Sequence, residues 1–264
     1  PQALSIPLTV TANGNIAAWQ EAVIGAEANG LRLAEVKVNV GDTVKRGQLL
    51  ARFDDAMLRA ELGQVQAAVA EAEANLAAAA ADARRARELQ SSGALSAQQV
   101  TQYLTAEQTA KARLDVQRAA LKAQQIRVAQ AQVTAPDDGV ISARNAAVGA
   151  VVGAGQELFR MIRQGRLEWR AEVAAAELGG IRPGQSARLT PAGGQTVEGK
   201  VRMVAPTVDT ASRNGLVYVD LPRPGGAKAG MFARGEFAVG GKTGLALPQT
   251  AVLLRDGFSH VFLI

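Results

Sequence analysis

"GDTVKRGQLL", residues 41–50, and "GAVVGAGQEL", residues 149–158, are one pattern written twice. Both read G-x-x-V-x-x-G-x-x-L, setting Gly41, Val44, Gly47 and Leu50 against Gly149, Val152, Gly155 and Leu158. Glycines so placed serve tight turns between short strands, where the backbone adopts conformations that a side chain opposes. The wider segments 35–54 and 134–162 keep the same turn–strand–glycine rhythm, so the chain carries an internal repeat of two half-motifs. The halves are expected to form one sandwich, 24–54 against 134–162, although about 80 residues separate them.

Those intervening residues read as helix. Asp54-Asp55 places two carboxylates on the positive end of a helix dipole. Apolar residues then recur at spacings of four and three: Leu58, Leu62, Val65, Val69, Ala72, Leu76, Ala79, Ala83, Ala86. That is a heptad seam. "RRARELQSSGALSAQQV", residues 84–100, interrupts it with a Ser91-Ser92-Gly93 break, and Ser96 is placed to cap a return helix running to about Gln132. The return helix has two stripes. Leu114, Leu121 and Val128 repeat every seven with Gln117 and Gln124 interleaved, whereas Ala112, Val116, Ala119, Ala123 and Ile126 form a cleaner series. Either both stripes make one broad core-facing side, or one pairs inside the hairpin while Val116 and Ile126 meet a neighbouring subunit.

Outside the hairpin the chain reads as strand. Turns fall at Asn13-Gly14, Gly41-Asp42, Pro183-Gly184, Gly193-Gly194 and Gly225-Gly226, and Pro136 is expected to stop the return helix. The chain begins at Pro1, which suggests a trimmed product, and stops inside the strand-like "HVFLI", which suggests a fragment.

Composition removes several functions. There is no cysteine, hence no disulfide and no thiolate metal site, and His260 is the one histidine, expected to be structural. Net charge is +5, but the span Asp54–Gln132 holds nine bases and nine acids, and no basic stripe with interleaved aromatics exists. Nucleic acid is therefore not an expected partner. No apolar run reaches the roughly 18 residues of a membrane span. "GQTVEGK", 194–200, approaches a phosphate loop, but Val201 stands where a hydroxyl would hold magnesium. No Ser/His/Asp set or carboxylate pair has a plausible site, so neither enzyme activity nor a cofactor is expected. The four methionines do not cluster, which disfavours methionine-ligated metal.

The two halves resemble those of the lipoyl/biotinyl domain. Carrier versions hold a modified lysine at the inter-half turn, but here the hairpin occupies that turn, and no lysine lies between Arg52 and Thr109. Lipoyl half, hairpin, lipoyl half and β-barrel in that order resemble the periplasmic adaptor (membrane fusion protein) family of tripartite efflux pumps, and among them the adaptors of RND-type transporters. "GIRPGQSARL" and "VEGKVRMVAPTVDTASRN" resemble its barrel domain. "AGMFARGEF" resembles its Gly-Met-Phe-x-Arg signature at Gly230, Met231, Phe232 and Arg234, and "LALPQTAVLLRDGFSHVFLI" its return into the membrane-proximal domain.

The resemblance implies an α+β, elongated, multi-domain fold: a lipoyl-like β-sandwich interrupted by a long α-helical coiled-coil hairpin, a β-barrel and a partial membrane-proximal β-domain. It divides the chain into a membrane-proximal segment 1–23, halves 24–54 and 134–162 around the hairpin 55–133, a barrel 163–241, and a membrane-proximal segment 242–264. It implies a periplasmic protein, anchored to the inner membrane through a segment absent from this chain. Its partners would be an RND-type inner-membrane transporter, a TolC-type outer-membrane channel and further copies in a hexamer, exporting drugs or other small toxic compounds. Adaptors of TolC-type channels resemble one another at the tip in Arg, three residues, Leu, six residues, Ser, which here are Arg85, Leu89 and Ser96. An ABC exporter as partner, or a lipoyl/biotin carrier, are the alternative readings.

Overall fold

The structure, a computed structural model, describes residues 2–90, 94–246, 252–255 and 258–261. The Ser91-Ser92-Gly93 break lies outside the described residues. Two units are described in turn, residues 22–161 and residues 1–21 with 162–264.

In the first unit the repeated glycines take the left-handed backbone expected of them. Gly41 and Gly47 have φ of 95° and 78°, and Gly149 and Gly155 have 89° and 82°. They punctuate β2 (Glu21–Gly25), β3 (Leu31–Val36), β4 (Thr43–Val44) and β5 (Leu49–Phe53), then β6 (Gln132–Thr134), β7 (Gly139–Arg144), β8 (Val151–Val152) and β9 (Glu157–Arg163). The halves do not fold side by side. They interleave, as sheets β2-β9-β7-β4 and β6-β5-β3-β8. Backbone bonds across the repeat are reciprocal. Gly41 N–H donates to the Ile141 carbonyl at 2.9 Å, and Gly149 N–H donates to that of Leu33 at 2.8 Å. Ala135 N–H donates to Gln48 and Ala26 N–H to Gln156, at 3.0 and 2.9 Å. Leu33, Val44, Leu50 and Phe53 are buried in one core with Ile141, Val152, Leu158 and Phe159. Burying each such side chain contributes about 1.5–3 kcal/mol, and neither half could do it alone.

Between β5 and β6 run α1 (Ala56–Gln90) and α2 (Ala97–Gln130). Asp54 accepts from the Ala56 N–H at 3.4 Å, and Asp55 pairs with Arg59 at 2.8 Å. The Arg32 guanidinium, and then that N–H, hold the Asp54 carboxyl below its usual range; Arg59 does the same to Asp55. The helix start is thus an anionic cap on a positive dipole end. The exit differs from expectation. α2 stops at Gln130, ahead of Gln132 and well before Pro136, because Gln132 and Val133 pair with Arg52 and Ala51 in the β5–β6 ladder. The ladder, not the proline, ends the helix.

The second unit is a closed barrel in the order β1-β10-β13-β12-β11-β14. Its strands are β1 (Gln2–Ala18), β10 (Leu167–Ala174), β11 (Ser186–Pro191), β12 (Val197–Val208), β13 (Asn214–Leu221) and β14 (Phe232–Ala246). Residues 1–23 are therefore not a separate membrane-proximal segment. Val10, Ala12, Ile16 and Ala18 fall on one side of β1 and are buried, so the strand closes the barrel against β10 and β14. β14 likewise continues past residue 241 to Ala246, paired with Gln2–Leu8. Beyond it, β15 (Leu253–Arg255) and β16 (Phe258–His260) pair as a two-stranded antiparallel sheet. The core stacks Trp169 on Phe237, ring centres 5.4 Å apart, beside Ile16, Leu189, Val217 and Val219. The phosphate-loop look-alike runs from a turn into β12, with no helix after it.

Gly14 pairs with Ala171 in the β1–β10 ladder. A Cβ there would lie 1.9 Å from the Arg170 carbonyl oxygen, which is backbone and cannot swing aside. Gly14→Ala is expected to destabilise the barrel by about 1–3 kcal/mol or more, read as a lowered melting temperature.

Candidate functional site: the helical hairpin

Every position of the α1 seam from Leu58 to Ala86 is buried or half-buried. Its α2 counterpart is the less regular stripe. Leu114 packs with Val69 and Ala72, and Leu76 and Leu121 join that cluster. Gln124, expected to weaken the seam, is buried and useful: its amide donates to the Leu58 carbonyl and to Glu61, each at 3.0 Å. A buried amide placed so fixes register, because any slip leaves it unpaired. Arg118–Glu73 at 2.9 Å and Arg87–Glu107 at 2.6 Å tie the helices further out.

The cleaner stripe faces away. Ala112, Val116, Ala119, Ala123 and Ile126 are all exposed, Val116 at 65% and Ile126 at 48%. The broad-core reading therefore does not hold within one chain.

At the tip, Arg85 and Leu89 are exposed on neighbouring turns at the end of α1. Arg85 forms an ion pair with Asp82 one turn back, and Arg84 is exposed with no ion pair among the described residues. Ser96 opens α2 as its N-cap. Its hydroxyl accepts from the Gln99 N–H at 3.3 Å while the Gln99 side chain accepts from the Ser96 N–H at 3.0 Å. This reciprocal capping box satisfies two otherwise orphan donors. Thr101, Thr105 and Thr109 follow, each hydroxyl donating to the carbonyl four residues back, at 2.8–2.9 Å.

A family model described as the barrel-sandwich hybrid domain of RND membrane fusion proteins matches residues 20–164, and a CusB-like β-barrel model matches 169–240. The chain belongs to the RND membrane fusion protein family. It is 34% identical over 255 residues to the nickel and cobalt resistance protein CnrB of Cupriavidus metallidurans, covering 92% of this chain and 61% of that one. To the nickel-cobalt-cadmium resistance protein NccB of Alcaligenes xylosoxydans it is 32% identical over 257 residues, with the same coverage. The chain thus spans about 61% of the length of these relatives. The membrane fusion protein Spr0693 of Streptococcus pneumoniae superposes with a TM-score of 0.69 at 20% identity, over 86% of this chain and 98% of that one, a likeness of fold.

In this membrane fusion protein, sequence reasoning missed Gln99, although Ser-x-x-Gln is a legible capping-box signal. It also missed an ionic cluster on the outer barrel wall. Glu168, 1% exposed, pairs with Arg170 at 2.9 Å and with Arg202, which also reaches Asp220 at 3.1 Å. Arg202 follows the inward-facing Val201, so strand alternation turns it outward, beside a register shift in the β12–β13 ladder. Among the described residues no three His, Asp or Glu side chains converge as a metal site.

Ser96→Ala removes one half of the capping box. It is expected to lower stability by about 1 kcal/mol, read in chemical denaturation, with Ser96→Asp keeping most of it.

Proposed function

We propose that this chain is the periplasmic adaptor of a tripartite RND-type efflux pump, bridging an inner-membrane transporter to a TolC-type outer-membrane channel. The observation that carries the reading is a two-helix hairpin of roughly 50 Å rooted in one interleaved sandwich, with an apolar stripe left uncovered. Such an element spans distance and packs against its own kind; it offers no chemistry. Copies would stand side by side, the α2 stripe at Val116 and Ile126 facing a neighbour, in a ring of six. The tips would engage the channel, and the transporter would supply the energy. Arg85 offers a planar fork of donors for carbonyls or carboxylates at a helical channel mouth, Leu89 an apolar knob, and Ser96 a close approach. Arg85 would exchange Asp82 for the channel.

The cargo is a small toxic solute, and drugs fit the description. The names of the two metal-resistance relatives favour a divalent transition-metal cation. The scattered methionines bear on metal binding by the adaptor itself and leave the transporter's cargo open.

Arg85→Asp or Leu89→Glu is expected to abolish efflux-dependent resistance while protein level, circular dichroism and melting stay near wild type. Ser96→Arg, which adds bulk at the contact, should also abolish resistance, with stability lowered by about 1 kcal/mol through loss of the cap. Normal export in all three variants would remove tip docking by these residues. Separately, Val116→Glu with Ile126→Glu is expected to lower the assembly mass in sedimentation and leave monomer helicity intact.

A further inference from the structure

The two flanks of the hairpin differ. Across one, ion pairs join the helices, Glu73 to Arg118 and Arg87 to Glu107. The other carries a groove, lined from α1 by Ala68, Glu71 and Asn75 and from α2 by Ala106, Ala110 and Gln117. Residues seven apart share a face of a helix, because seven steps of 100° fall only about 20° short of two turns. Followed toward the tip in sevens, Ala68 and Asn75 lead through Asp82 to Leu89, and Glu71 leads through Ala78 to Arg85. On α2, Gln117 and Ala110 lead to Tyr103. Arg85, Leu89 and Tyr103 therefore stand on the groove flank together, although they come from both helices.

Tyr103 is the one aromatic residue between Phe53 and Phe159. It is 41% exposed, and its hydroxyl has no hydrogen-bond partner among the described residues. Its level follows from the seam. Leu114 packs with Ala72, so Tyr103, eleven residues before Leu114, stands level with Ala83, eleven after Ala72. The seam at that end is already closed by Ala83 and Val100, at 0% and 3% exposure, and has no need of a phenol to fill it. From Ala83 to Leu89 is six residues, roughly 9 Å along the axis, and Arg85 lies between them.

We infer that the outer-membrane channel docks on this one flank of the tip and that Tyr103 is a fourth contact residue there, an inference that rests on the tip-docking reading above. Position selects the channel over a second copy. Tyr103 is continuous with Arg85 and Leu89, whereas Val116, the nearer of the two exposed knobs on α2, lies thirteen residues further from the tip, roughly 20 Å. Chemistry fits as well. A tyrosine half-covered by its own hairpin brings a large ring at small entropic cost, and its free hydroxyl can meet a polar group at a helix end. Beside the Arg85 fork and the Leu89 knob it completes a contact of apolar area with donors around it, the composition of an interface centre.

Tyr103→Ala, Tyr103→Phe and Arg84→Ala are made in the full-length protein. Each is measured for binding to a purified TolC-type channel in detergent, for assembly mass, for melting and for efflux-dependent resistance. Arg84 belongs to the series of Ala70 and Ala77, which does not line the groove, and serves as the control. Tyr103→Ala is expected to weaken channel binding about tenfold or more, with assembly mass and melting as in wild type. Tyr103→Phe keeps the ring and most of the binding, and Arg84→Ala binds as wild type. Wild-type binding by Tyr103→Ala, while Arg85→Asp abolishes it, would overturn the role of Tyr103 and leave tip docking standing. Equal losses from Arg84→Ala and Tyr103→Ala would overturn docking on one flank. A Tyr103→Ala chain with lowered assembly mass would assign the ring to a second copy, and one with lowered melting would assign it to the hairpin core; either overturns the inference. Normal export in both Arg85→Asp and Leu89→Glu would remove the tip reading, and this inference with it.

Discussion

The structure depends on the exchange of backbone hydrogen bonds between the two halves that carry the ten-residue repeats. Gly41 and Gly149 each donate into the other half, to Ile141 and Leu33, and the core beneath is drawn from both. Closing a loop of some eighty residues costs only slowly growing entropy, so the excursion between the halves could lengthen into two helices at little penalty. Closure then acts on the hairpin. It ties the start of α1 and the end of α2 to adjacent strands, β5 and β6, and so fixes where α1 begins and where α2 ends.

From that root the helices are held by close approach more than by bulk. The α1 seam runs from Leu and Val near the base to Ala79, Ala83 and Ala86 near the tip, where Ala83 and Ala86 are buried. Small side chains bury little area each, so packing there leaves a thin margin. The polar ties compensate by specifying alignment: Gln124 to Leu58 and Glu61 at the base, Arg118 to Glu73 midway, Arg87 to Glu107 toward the tip. Exposed ion pairs contribute little stability, but these two and the buried Gln124 amide along one seam disfavour alternative registers. The capping box at Ser96 restarts the helix cleanly after the turn.

The barrel solves a different problem. Its interior is filled by Trp169 on Phe237, which requires Gly235 beneath the indole, where a Cβ would lie 2.7 Å from the ring. Gly230, with φ of 90°, turns the Gly-Met-Phe-x-Arg segment so that its N–H reaches the Ile16 carbonyl at 2.7 Å. Arg234 then donates to Asn13 at 3.2 Å. That signature therefore ties β14 to β1.

Much of this was legible in the residues. The paired G-x-x-V-x-x-G-x-x-L motifs, the heptads from Leu58 and the cap at Ser96 rest on local rules of turn and period, and each determined its element without reference to distant chain. Three things were not legible. That β1 closes the barrel depends on partners far along the chain, β10 and β14, and alternation alone says only that a strand has an inner face. The end of α2 was set by a ladder with β5 and not by the proline that the sequence displays. For the α2 stripes the sequence left two readings open, one of them with Val116 and Ile126 outside the hairpin, and only the fold decided: the cleaner series is exposed and the one broken by glutamines points in. Hydrophobicity ranks the stripes by transfer free energy. The fold ranks them by where the sandwich roots the helices and by whether Gln124 finds partners, and those are properties of the assembled chain.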